Sequence, residues 1–97
     1  VKKRSIKYIR QDWVLNWIKT HGPTNVLDID FVDSFIEEFG VKYRVQIVGA
    51  HTCPMIGSLL SHMYKCNLLD RGIIGLSESR GYPKWVYVYT EKNWKPE

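Results

Sequence analysis

Between Ser5 and about Thr20 the apolar residues Ile6, Ile9, Trp13, Val14, Trp17 and Ile18 recur at the three- and four-residue spacing of one helix face. Ser5 suits the N-cap position. His21-Gly22-Pro23 stops this helix, because glycine accepts the left-handed C-terminal conformation and proline cannot continue. Thr24 to Leu27 reads as a short extended piece. A second helix is predicted from Asp28 or Asp30 to Phe39, with Phe31, Val32, Phe35, Ile36 and Phe39 facing inward and Gly40 closing it. Asp28, Asp30 and Asp33 lie near its positive end, where carboxylates are favoured.

The period then changes. Val41, Tyr43, Val45 and Ile47 alternate with Lys42, Arg44 and Gln46, which predicts an additional strand over 41–48, and Gly49-Ala50-His51 reads as a loop. Thr52 is the expected N-cap of a third helix, with Pro54 in its first turn, where a missing N–H costs nothing. That helix runs to about Cys66. Ile56, Leu59, Leu60 and Met63 form its buried stripe. Steps of about 100° put Ser58, Ser61, His62 and Lys65 on the opposite face, with Met55 at its margin. Asn67 ends the helix and Leu68-Leu69 packs back. Arg71–Ser77 and Pro83–Thr90 read as two strands joined by the turn Glu78-Ser79-Arg80-Gly81-Tyr82. In the second strand Trp85, Tyr87 and Tyr89 share one side, and Val86 and Val88 the other.

Composition changes this picture in a few respects. A chain of 97 residues makes one domain, 1–97, with 1–4 and 91–97 expected as flexible tails apart from Trp94. No apolar run reaches the length of a membrane span, and no long apolar stretch follows the basic start Val1-Lys2-Lys3-Arg4, so neither a membrane partner nor a secretory signal is expected. Cys53 and Cys66, at opposite ends of the third helix, would lie roughly 20 Å apart, too far for a disulfide. Free thiols suit a reducing, cytoplasmic setting. The net charge of +4 is unevenly placed. Residues 1–10 carry five Lys/Arg and no acid, residues 11–40 one Lys and six acids, and residues 41–97 eight Lys/Arg and four acids. An acidic second helix beside a basic remainder would steer a polyanion onto one face.

The run from Thr52 to Leu76, TCPMIGSLLSHMYKCNLLDRGIIGL, followed by Pro83-Lys84-Trp85-Val86-Tyr87-Val88-Tyr89, resembles the winged helix-turn-helix superfamily of DNA-binding proteins: its recognition helix, the Leu68-Leu69-Asp70-Arg71 exit and the wing. The resemblance implies an α+β winged helix, three helices followed by a two-stranded hairpin, as in small bacterial, phage or plasmid regulators. In that superfamily a short turn joins the second and third helices. Here residues 40–51 intervene, as an enlarged loop or an inserted strand.

The resemblance further implies double-stranded DNA as partner. Thr52 would meet a phosphate at the helix N-terminus, Met55, Ser58, Ser61 and His62 would lie toward base edges, and Lys65 would contact phosphate. Arg80 would enter the minor groove or hold the backbone, supported by Lys84. Lys2, Lys3 and Arg4 would add counterion release. The outer helix face lacks the Arg, Asn and Gln of bidentate base readout, so a dimer or cooperative binding would have to add specificity. The alternative is a winged-helix adaptor that binds a homodimer mate or another protein through Trp85, Tyr87, Tyr89 and the acidic second helix.

Other chemistry fits less well. His51, Cys53, His62 and Cys66 have a spacing suggestive of zinc, but Cys53 would stand about 13 Å from His62 along the helix axis, so one ion could not take both. Helix capping accounts for Asp28, Asp30 and Asp33 more simply than a magnesium nuclease does. Tyr64 lacks the Arg/His cluster that a strand-breaking nucleophile needs. No catalytic residue, cofactor or metal is therefore expected.

Overall fold

The computed structural model describes residues 6–45, 51–75 and 84–94. Helix α1 spans Ile6–His21 and buries Gln11, Val14 and Ile18. Gly22 ends it at φ 90°, with its N–H bonded to the Ile18 carbonyl at 2.8 Å. The predicted face was too long at its start. Ile6 and Ile9 remain 53% and 42% exposed, because burial on α1 begins only at Gln11 and the core cluster only at Val14. Ser5, the expected N-cap, lies outside the described residues.

Helix α2, Ile29–Phe39, buries Phe31, Val32 and Phe35. Asp28 is its N-cap and accepts from the Phe31 N–H at 3.3 Å, while the Thr24 hydroxyl donates to the other carboxylate oxygen at 2.9 Å. Gly40 closes α2 at φ 60°. Trp13 joins the two helices. Its ring lies 5.9 Å from Phe31, 5.5 Å from Phe35 and 5.9 Å from Phe39, and stacks on Trp17 at 5.4 Å, an arrangement that gains both apolar burial and ring–ring geometry.

The connection after α2 is partly ordered as a small antiparallel pair, β1 (Arg44–Val45) with β2 (His51–Thr52), in the register Arg44 to Thr52 and Val45 to His51. The strand predicted over 41–48 is thus confined, among the described residues, to Arg44 and Val45; residues 46–50 lie outside them. His51 is a strand residue rather than part of a loop. Pairing with Arg44 commits Thr52 to β2, so it does not cap the next helix. The N-cap position moves to Cys53, which makes no side-chain capping bond. Its thiol turns instead toward the Lys42 carbonyl at 3.4 Å.

Helix α3, Pro54–Lys65, has proline in its first turn and buries Ile56, Leu60 and Met63. It ends where expected. Asn67 adopts φ 66°, with the Asn67 N–H bonded to the Tyr64 carbonyl and the Leu68 N–H to that of Met63. This is the paired closure that satisfies the last helix carbonyls. Leu69 follows, fully buried, and opens β3 (Leu69–Gly75), which pairs antiparallel with β4 (Trp85–Glu91). Thr24 exchanges both backbone hydrogen bonds with Tyr89, so β4 is flanked by Thr24 and β3. Of the extended piece expected at Thr24–Leu27, Thr24 alone bridges the sheet; Val26 and Leu27 form a turn into α2.

Three helices and a two-stranded antiparallel hairpin make an α+β architecture compatible with a winged helix. One cluster unites them: Val14 and Ile18, Phe31, Val32 and Phe35, Ile56, Leu60 and Met63, Leu69 and Tyr89. No helix among the described residues is long and apolar enough to cross a membrane. The start of the expected C-terminal tail is structured. Glu91 belongs to β4, and beyond it Lys92 Nζ and the Asn93 N–H bond to Asp70 at 2.8 and 2.9 Å.

Two predictions follow from this packing. Leu60→Ala leaves a cavity under α3 and is expected to lower stability by about 2–5 kcal/mol, read as an earlier urea midpoint, whereas Ser58→Ala on the exposed face shifts it by less than about 0.5 kcal/mol. The second concerns Asp70. The hydrogen bond from Lys92, then that from Asn93, holds its carboxyl below the ordinary value of 3.8. Its contribution is therefore complete above the unfolded-state pKa and is lost as pH falls through the lower folded value. The melting temperature should drop less between about pH 5 and pH 2 in Asp70→Asn than in the parent chain.

Candidate functional site

Burial of Ile56, Leu60 and Met63 leaves the opposite side of α3 facing outward. Ser58 and Lys65 are exposed at the centre of that side, and Met55 is 38% exposed at its start. Ser61 and His62 are half-buried, on opposite flanks.

Each flank borders a groove. On one side α1 contributes Ile6, Lys7 and Arg10, facing Met55, Ser58, Leu59 and His62 of α3. On the other, Gly57 and Ser61 of α3 face Val26, Arg71, Trp85, Val86, Tyr87 and Tyr89. Neither groove is lined by a carboxylate among the described residues. The described acids nearest in sequence to the hairpin groove are Asp70, engaged by Lys92, and Glu91 at the far end of β4. The exposed acids of α2, Asp30, Asp33, Glu37 and Glu38, stand on a different helix. The outer side of α3 is thus an acid-free ridge with cationic residues on both shoulders.

The sequence-derived residues fare unequally. Met55, Ser58, Ser61, His62 and Lys65 come together on α3 as expected. Lys84 is exposed immediately before β4. Thr52 is half-buried within β2 rather than at a helix N-terminus. Arg80, Lys2, Lys3 and Arg4 lie outside the described residues. Of the proposed aromatic partner surface, Trp85 is 48% exposed and Tyr87 half-buried, but Tyr89 is only 4% exposed. Tyr89 cannot serve as a contact residue, because backbone pairing to Thr24 on one side and Arg71 on the other holds it mid-sheet with its ring in the core.

The cysteines and histidines are also dispersed. Cys53 is buried at the start of α3, whereas the exposed Cys66 at its end lies 3.4 Å from His62 Nε2, a pairing expected of residues four apart on a helix.

One residue that the sequence pattern did not single out stands in the hairpin groove. The Arg71 guanidinium carbon lies 4.0 Å from the Tyr64 ring centroid and 4.0 Å from that of Tyr87. Tyr87 in turn meets Trp85 edge-on at 4.9 Å. Stacking of this kind contributes about 0.5–1 kcal/mol per ring near the surface and fixes a side chain that otherwise has many rotamers. The available sequence signal was weak: the alternation Leu69, Arg71, Ile73 put Arg71 on the core side of β3, but the register that brings it level with β4's aromatic residues is tertiary.

Arg71→Ala should therefore loosen the junction between α3 and the hairpin without melting the core. The expected result is a loss of about 1 kcal/mol in urea unfolding, together with altered tyrosine or tryptophan near-UV dichroism. No family model, curated protein or solved structure matches this chain.

Proposed function

We propose that this chain is a duplex DNA-binding protein, not an enzyme, that seats α3 in the major groove and brings the β3–β4 hairpin against the adjacent backbone. The observation carrying this reading is the carboxylate-free ridge of Ser58 and Lys65 between two grooves that hold Lys7 and Arg10 on one side and Arg71 on the other. A helix of this diameter fits the major groove, and short hydroxyl side chains let its backbone approach base edges. Lys65 and Lys84 would reach phosphates. Serines read bases permissively, so most of the affinity would come from the backbone and little from sequence. Such a protein would work as a small transcriptional regulator or DNA-maintenance factor associated with the cytoplasmic nucleoid.

A second reading has an observation of its own. Ile73 and Trp85 are 66% and 48% exposed on one side of the hairpin, an apolar surface suited to a protein partner or a second copy, while Ile74, 47% exposed, lies on the other side. This reading predicts concentration-dependent self-association, or binding to a protein, that survives Lys65→Glu.

Polarisation titration of a labelled duplex separates the two. With about five to seven phosphate contacts, affinity should fall at least about a hundredfold between about 50 and 200 mM salt. Lys65→Glu and Arg80→Ala should weaken binding at both salt concentrations while leaving the melting temperature within a few degrees. Unchanged duplex affinity in both variants rules out this surface.

A further inference from the structure

We infer that Arg71, clamped by Tyr64 and Tyr87, is a pre-organised phosphate receptor that sets where α3 sits along the DNA backbone; the inference rests on the duplex-binding reading above. Three features of the molecule support it. The guanidinium is 4.0 Å from both ring centroids, so stacking occupies its faces and leaves its N–H edge as the part available for recognition. Among the described residues no carboxylate, carbonyl or hydroxyl accepts a hydrogen bond from it. Finally, it stands in the groove shared by Gly57 and Ser61 of α3 and by Trp85 and Tyr87 of β4, where a backbone passing between helix and hairpin would run.

The chemistry matches a phosphodiester. A planar guanidinium presents parallel N–H donors that a phosphate accepts in bidentate fashion, and an ammonium cannot reproduce that fork. Rotamer freedom is ordinarily lost when an arginine binds. Here the tyrosines have already removed it, so less affinity is forfeited on complex formation. The two rings come from different elements, Tyr64 from the last turn of α3 and Tyr87 from β4. A phosphate held by Arg71 is consequently fixed relative to the helix and the hairpin together. Lys65, next to Tyr64 but exposed, supplies charge without that geometric constraint.

The test compares the parent chain with Arg71→Gln, Arg71→Lys and Tyr64→Leu, titrated with one labelled duplex at three salt concentrations after thermal melts show each to be folded. Arg71→Gln should weaken binding about tenfold and lower the slope of log affinity against log salt by about one. Arg71→Lys should restore the slope but only part of the affinity. Tyr64→Leu, which retains the charge, should weaken binding about threefold with the slope unchanged. A merely structural arginine would leave the slope unaltered in Arg71→Gln, and that result overturns the inference. Full recovery of affinity by Arg71→Lys overturns it as well, because a point charge would then suffice. Both results leave the duplex-binding reading intact. Failure of the parent chain to bind duplex at the lowest salt, or equal retention of polyglutamate, overturns the reading and the inference together.

Discussion

The packing of α3 through a single apolar stripe governs the rest of the molecule. Ile56, Leu60 and Met63 are almost completely withdrawn from solvent against residues of α1, α2 and the start of β3. A helix can satisfy that constraint in one rotation only, so the side carrying Ser58 and Lys65 must face out. Burial of such side chains is worth roughly 1.5–3 kcal/mol each, far more than any preference of a serine or lysine for one environment. The polar ridge is thus oriented by residues that never touch a ligand.

The same constraint reaches the hairpin through the end of α3. Asn67 in the left-handed conformation closes the helix and delivers Leu69 straight into the core. Arg71 comes two residues later on the same side of β3, which brings it against Tyr64, the last turn's own aromatic residue. β4 then completes the arrangement. Its backbone is held from two sides, by Thr24 and by β3, and this places Tyr87 on the other side of the arginine. The junction between helix and hairpin therefore depends on a closed set of backbone and stacking contacts, not on a flexible loop.

The start of α3 follows a different logic. Local sequence favours Thr52 as a cap, since its hydroxyl suits that position and proline follows two residues later. The β1–β2 pair overrides the preference. Backbone pairing with Arg44 keeps Thr52 extended, and burial of Cys53 against the Lys42 carbonyl anchors the next residue. The long connection between α2 and α3 thus has a structural part in setting where the outward-facing helix begins. A similar competition explains the N-terminal end of α1. Ile6 and Ile9 continue the helical period, but the core does not extend beneath them, so periodicity there marks exposed surface, with Ile6 at the edge of a groove.

What the chain determines by itself is everything encoded over a few neighbouring positions. The three helices, their inward stripes, the glycine stops at 22 and 40, the asparagine stop at 67 and the strand pair after it all arise from spacing and backbone preference within one or two turns. The gathering of Met55, Ser58, Ser61, His62 and Lys65 on one helix was legible for the same reason. Tertiary structure alone decided the fate of Tyr89 and the importance of Arg71. The one is buried and the other clamped because of strand register and a bridge to Thr24, contacts between residues far apart in sequence. An alternating strand pattern specifies which residues share a side, but neither how far the core extends along that side nor which distant ring will stand opposite.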